Sequence, residues 1–267
     1  MSEPQRRIAL RIQYDGATFA GSQWQPHSPT VQAALEHAIA HLTRESQRID
    51  LAGRTDAGVH ATGQVAALTT ATDLPPPRWL HGLNHFLPDT VAVQAAQPVP
   101  LSFHPRHDAR ERTYHYHLQT APHRQPLAQR YAWVVPGPLH LERIREALHK
   151  LIGEHDFASF AAPPEHPGTR RTLAEASLHS RGAQHCLRFR ANAFLPHQVR
   201  RTVGLLERIG RGKETPDCID RLLAEPQPGA VGPTAPPHGL VLAHVRYDIA
   251  ALAEWSNDSE DLCRPQR

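Results

Sequence analysis

One order of elements runs through this chain twice: strand, helix, strand, strand, helix, strand. Ile8, Leu10, Ile12 and Tyr14 alternate with Arg7, Ala9, Arg11 and Gln13, the period-two pattern of a half-buried strand. Thr30 then heads a helical pattern with Val31, Ala34, Leu35, Ala38, Ile39 and Leu42 on one face, its hydroxyl suited to the N-cap. Arg48 to Ala52 and His60 to Thr69 read as the next two strands, the latter around Val65 and Ala67. After Pro75-Pro76-Pro77 a helix runs from Arg78 with Trp79, Leu80, Leu83, Phe86 and Leu87 inward, and Val91, Val93 and Ala95 mark a fourth strand. This is the split βαβ, or ferredoxin-like, order.

The order recurs after Pro98 to Ala109. Ala109 to Thr120 alternates as a strand through Tyr114, Tyr116 and Leu118. Leu141, Ile144, Leu148, Leu151 and Ile152 line a helix ending near Gly153, and Thr172 to His179 and Gln184 to Phe194 are two further strands. Pro196 suits the first turn of a helix carrying Val199, Val203, Leu206 and Ile209. A short helix, Pro216 to Leu223, and a strand, Leu240 to Tyr247, complete the pattern. The expected class is α+β: two tandem βαββαβ subdomains of ferredoxin or RRM type, with mainly antiparallel sheets forming a central cleft. Residues 1–105 and 106–249 would form the halves, and the polar stretch 250–267 a tail that frays.

At 267 residues the chain is long enough for two ordinary cores without staples. Cys186, Cys218 and Cys263 are odd in number and far apart, which argues against a disulfide framework and for a reducing, cytoplasmic setting. Met1-Ser2-Glu3-Pro4-Gln5 has no signal-peptide character, and no apolar run approaches the ~20 residues of a membrane span, so no membrane partner is expected. Net charge is +3, and only Lys150 and Lys213 are lysines. Positive charge made almost wholly of arginine offers planar forks for phosphate and admits a nucleic-acid partner, although a GC-rich genome yields the same bias. The histidines show no metal-ligand spacing, and the chain lacks a Walker loop and a dinucleotide fingerprint, so neither metal nor cofactor is expected.

Within the first half, Leu51-Ala52-Gly53-Arg54-Thr55-Asp56-Ala57-Gly58-Val59-His60 sets one acidic residue between two glycines, with an arginine two positions ahead. Glycine admits backbone conformations closed to other residues, so the stretch reads as a tight loop presenting Asp56 from a sheet edge. Taken alone, the pattern also fits an ordinary turn in which Asp56 bonds its own backbone.

Tyr14-Asp15-Gly16, Phe19-Ala20-Gly21-Ser22-Gln23, Thr30-Val31-Gln32 and the Gly53–His60 stretch, in that order, resemble the TruA family of tRNA pseudouridine synthases. So do Phe103-His104 with Ala109-Arg110-Glu111-Arg112-Thr113-Tyr114, then Asp156-Phe157-Ala158-Ser159-Phe160, Asn192-Ala193-Phe194 leading to Val199-Arg200, and Gly239-Leu240. The resemblance spans nearly the whole chain. It implies isomerisation of uridine to pseudouridine in the anticodon stem-loop of tRNA, at positions 38, 39 and 40, by a homodimer that holds one tRNA across both subunits.

The resemblance also implies roles. Asp56 is the nucleophile, attacking sugar or base; a carboxylate suits this because it is ionised at neutral pH without help. Arg200 is its cationic partner across the cleft, and Arg54 helps to hold the target nucleotide out of the stack. Tyr114 stacks on the extruded base and Leu240 packs its other side. Such stacking contributes about 1–3 kcal/mol, comparable to the few kcal/mol that unstacking costs. Isomerisation gains and loses no atoms or electrons, so no cofactor is required. Arg7, Arg11, Arg78, Arg106, Arg110, Arg112, Arg201 and Arg208 are candidates for phosphate contact. Pro196 and Gln198 depart from the histidine and methionine more frequent in the family. One rival reading is a non-catalytic RNA-binding protein, against which no strand shows the aromatic-rich RNP1 pattern. Another is a pseudouridine synthase for a different RNA.

Overall fold

The computed structural model describes residues 4–162 and 168–257. These residues form two compact units, one of residues 4–110 joined by residues 242–257, the other of the described residues of Glu111–Val241.

In the first unit β1 (Arg6–Tyr14) is followed by α1 (Val31–Thr43), β2 (Asp50–Leu51), β3 (His60–Thr70), α2 (Pro76–Phe86) and β4 (Val91–Val99). β1 lies between β4 and β3, antiparallel to both, and β2 pairs antiparallel with β3. Each strand–helix–strand link returns the chain in its original direction with one place vacant between the two strands. The other link fills that place, so every neighbour is antiparallel. Ile8, Leu10 and Ile12 of β1, Leu35 and Ile39 of α1, and Trp79 and Leu83 of α2 are at most 3% exposed and make this unit's core. Thr30 caps α1 as its sequence suggests, its Oγ1 accepting from Ala33 N–H at 3.2 Å. α2 begins at Pro76 rather than Arg78, since prolines fit a first turn whose N–H groups have no helical partner. Of the two residues expected inward at its end, Leu87 is buried but Phe86 is exposed and stacks on His41 at 5.3 Å.

The second unit contains β5 (Ala109–Thr120), β6 (Trp133–Val135), α3 (Leu141–Lys150), β7 (Gly153–Asp156), β8 (Arg170–Arg181), β9 (Gln184–Ala191), α4 (Gln198–Gly210) and α5 (Cys218–Ala224). β5, β9, β8 and β7 are neighbours in that order and antiparallel, while β6 runs parallel to the end of β5. β6 and β7 have no counterpart in the sequence pattern, because one is too short and the other, Gly-Glu-His-Asp, lacks apolar alternation. Partner strands hold both. α3 stops at Lys150, so Ile152 is exposed, and Gly153 at φ +118 starts β7. Pro196 does not open α4: the N-cap is His197 at φ 62, and Gln198 Oε1 accepts from Leu195 N–H at 2.8 Å.

β10 (Leu240–Tyr247) belongs to the first unit from Leu242 on. There it shares the outer edge of β3 with β2. Asp50 and Leu51 face Ala67 and Ala66, whereas Thr62 Oγ1 reaches Ala243 O at 3.4 Å and a Cβ on Gly63 would lie 2.2 Å from that oxygen. Ala250–Asn257, expected to fray, coils into a 3₁₀-helix with Leu252 and Trp255 buried; the rest of the tail lies outside the described residues. Cys218 is a free, buried thiol. Among the described residues no helix is long and apolar enough to cross a membrane.

On β5, His115 is buried opposite Arg188 of β9, and neither of its ring nitrogens has a hydrogen-bond partner among the described residues. Burial first, then the neighbouring charges of His117, Arg188 and His179, hold its pKa down at about 3 rather than 6.5. The unfolded chain takes up this proton near the ordinary value and the folded one refuses it, so stability is full above that value and falls as pH drops towards 3. His115→Leu is expected to flatten this dependence. Urea midpoints at about pH 5 and about pH 7.5 check it: the same acid loss in both proteins rules out His115 as the source.

Candidate active site

Asp56 sits on the connection from β2 to β3, and buried hydrogen bonds from elsewhere in the first unit fix that connection. Ala52 N–H donates to Val65 O at 2.8 Å, keeping the loop's start on β3. Thr55 N–H donates to Ser22 Oγ at 2.8 Å and Ser22 N–H returns to Thr55 O at 3.0 Å. The Thr55 and Tyr14 hydroxyls meet at 2.9 Å, and Gln64 Nε2 donates to Gly53 O at 2.9 Å. The turn closes through Val59 N–H to Asp56 O at 3.1 Å, with Gly58 at φ +78. A Cβ on Gly16 would lie 2.0 Å from Val59 O, and one on Gly21, itself at φ +111, would lie 2.9 Å from Thr55 O. Thus the Tyr-Asp-Gly and Gly-Ser pieces of the first motifs are what the loop's backbone rests on.

Alternation along Arg54-Thr55-Asp56 turns Thr55 inward, leaving Arg54 exposed and Asp56 half-buried. Burial pushes the Tyr14 hydroxyl up to about 12, so it stays protonated and supports the loop as a neutral group. Beside the loop, Gly53 and Arg54 form one wall of a groove of about 240 Å³ that also touches Gln23, Asp50, His104 and Arg106.

Ser22→Ala leaves the buried Thr55 N–H without its acceptor and is expected to cost about 1–3 kcal/mol of stability. Denaturant titration reads this directly; an unchanged midpoint would mean that the loop does not depend on that bond.

The second unit groups the other three residues around Tyr116 of β5. Tyr116 is fully buried, its hydroxyl donates to Pro236 O at 2.9 Å, and its ring would lie 2.8 Å from a Cβ on Gly239, the residue before Leu240. Tyr114, two positions earlier on the same strand face, is half-buried and meets Phe194 edge-on at 5.2 Å. Arg200, half-buried on the first turn of α4, donates from Nε to Ala235 O at 2.9 Å while its own carbonyl accepts from Ala235 N–H at 3.0 Å. Its charge acts on Tyr116 and His238. Leu240 is buried at the start of β10.

A sequence profile described as tRNA pseudouridine synthase matches residues 11–108 and 147–248, which takes in the Asp56 loop, α4 and β10. The chain belongs to that family. Among curated relatives, the tRNA pseudouridine synthases A of Burkholderia thailandensis and Burkholderia lata are each 46% identical to it over 243 residues, 90% of this chain and 90% of theirs. The protein of Burkholderia mallei is 45% identical over the same share. Among solved structures, a chain of a Cbf5-Nop10-Gar1 complex aligns over 74% of this chain and 54% of its own at 8% identity and a TM-score of 0.32, too slight a likeness to bear on the fold.

Within this family member, sequence reading singled out Asp56, Arg54, Tyr114, Arg200 and Leu240. The structure brings Asp56 and Arg54 together on one loop of the first unit and Tyr114, Arg200 and Leu240 around one tyrosine of the second. The Gln198 departure does not disorder the approach to Arg200, because its side chain caps Leu195 N–H. Gln64 was missed. Its signal was an amide preceding the apolar run Val65-Ala66-Ala67-Leu68, where a buried strand wants none.

Proposed function

We propose that this protein isomerises uridine to pseudouridine in tRNA, with Asp56 as the nucleophile and the anticodon stem-loop, positions 38 to 40, as its target. The bond from base nitrogen to sugar breaks, the base turns, and a carbon–carbon bond forms to the same sugar; the proton leaving that carbon is matched by one gained at the released nitrogen. One observation carries the reading: a half-buried carboxylate is held on a loop whose backbone is bonded by Ser22 and Gln64 and whose Thr55 hydroxyl meets Tyr14. Such pre-positioning costs buried polar groups that an ordinary turn does not need. Tyr114, Arg200 and Leu240 are read as the groups that receive the turned-out nucleotide, by stacking, charge and apolar packing, with Arg54 holding it from the loop. The names of the curated relatives support the substrate class. A cytoplasmic homodimer acting on tRNA is part of the same proposal.

Mapping pseudouridine in bulk tRNA incubated with this protein alone tests it. New pseudouridine confined to the 3′ side of the anticodon stem-loop supports the reading. Pseudouridine elsewhere moves the target, and tRNA binding without any new pseudouridine leaves the non-catalytic alternative.

A further inference from the structure

The groove beside the Asp56 loop is built from one unit. Its lining includes two arginines, Arg54 and Arg106, two histidines, His104 and His107, and Gln23. The one carboxylate there, Asp50, is already engaged: its Oδ2 accepts from Arg7 Nη2 at 2.6 Å and its Oδ1 lies 3.9 Å from His104 Nε2. Arg7 is itself fixed, donating from Nε to Phe103 O at 3.0 Å and from Nη1 to Thr69 Oγ1 at 3.0 Å. The acid thus braces the wall, and the surface offered to a ligand is rich in donors and positive charge.

The backbone of the turn from which Arg106 and His107 project is equally set. His104 and Asp108 exchange bonds, His104 N–H to Asp108 Oδ2 at 2.8 Å and Asp108 N–H to His104 O at 3.0 Å. His104 Nδ1 accepts from Arg106 N–H at 3.2 Å and from His107 N–H at 3.4 Å, which leaves its proton on Nε2, towards Asp50. A fixed backbone limits the freedom these exposed side chains lose when a ligand arrives. Position decides the ligand. Gly53, on the groove wall, is three residues from Asp56, at most about 11 Å of chain, so whatever occupies the groove lies roughly one nucleotide step from the base that the carboxylate reaches.

We propose that this groove binds the nucleotide adjoining the target uridine, its phosphodiester against Arg106 and His107 and its base edge against Gln23. The proposal rests on the tRNA reading above and adds to it a subsite that discriminates substrates by the neighbour of the target.

The test uses the full chain with an anticodon stem-loop RNA and with the same RNA carrying neutral methylphosphonates on the two phosphates flanking the target. For the parent protein, neutralisation should raise KM roughly tenfold with kcat little changed, the loss of one charge-assisted contact. Arg106→Gln should show that higher KM on the ordinary RNA and no further rise on the neutralised one. It should also lower the salt slope of binding by about one. Arg106→Lys should recover most of the KM and salt slope, which separates phosphate contact from damage to the turn. If neutralisation raises KM equally in the parent and Arg106→Gln, or if Arg106→Gln matches the parent, the subsite is wrong. Absence of pseudouridine formation by the parent protein instead overturns the function reading.

Discussion

Asp56→Asn is expected to lower pseudouridine formation by about 10⁴-fold or more while tRNA affinity changes by less than about threefold. Asparagine has the size of aspartate and can make the same side-chain bonds to a turn backbone. The loop is fixed by groups other than this side chain, through Thr55, Gly53 and the Val59 N–H to Asp56 carbonyl bond. On the proposed reading the substitution takes away the nucleophilic oxygen and leaves these backbone anchors in place, so the melting temperature should change little. Single-turnover assays with excess enzyme separate chemistry from binding. Were the carboxylate only a turn residue, the variant would keep its turnover, and the nucleophile assignment would be lost.

The second large effect concerns a residue that never meets RNA in this scheme. Gly16→Ala puts a methyl group 2.0 Å from Val59 O and 2.6 Å from Val59 C. Both are backbone atoms, so no rotamer change relieves the clash. Gly16 cannot retreat easily either, since its N–H donates to His60 Nδ1 at 3.1 Å and Asp15 N–H is tied to Thr90 O at 2.9 Å. Overpacking of this kind costs about 3 kcal/mol. The turn that closes on Asp56 ends at Val59, so the displacement passes to the carboxylate, and a shift near 1 Å costs about 10²-fold in rate. Gly53→Ala is the control, because its Cβ would meet nothing within 4 Å and it lies on the same loop. Denaturant midpoints and kcat for the two variants at a temperature where both are folded decide the matter. Equal behaviour of the two would show that loop and strand end are not packed as described.

The features of this site differ in how far sequence exposed them. Asp56 stood out because glycines on both sides announced a turn, and turn chemistry is local. Tyr114 and Leu240 sit in alternating strands, where a tyrosine or leucine looks like core; only the family resemblance singled them out. Ser22 is 33 residues from the Thr55 N–H it accepts from, and neither partner carries a mark that names the other. Gln64 reaches Gly53 O from inside an apolar strand, a contact that makes sense only once the loop folds back over β3.

What the chain determined by itself was whatever repeats along a single segment. The alternation in β1, the helical spacing and Thr30 cap of α1, and the interleaved order β4-β1-β3-β2 follow from periodicity and connection rules, which need no knowledge of distant residues. Tertiary structure alone decided the rest. It made strands of Trp133–Val135 and Gly153–Asp156 by lending them ladders, and it turned Phe86 out to His41 and Leu252 and Trp255 in. It also set the Gly16 and Ser22 segments beneath the Asp56 loop. Pairing and burial are properties of two surfaces at once, and the second surface lies tens of residues away in the chain.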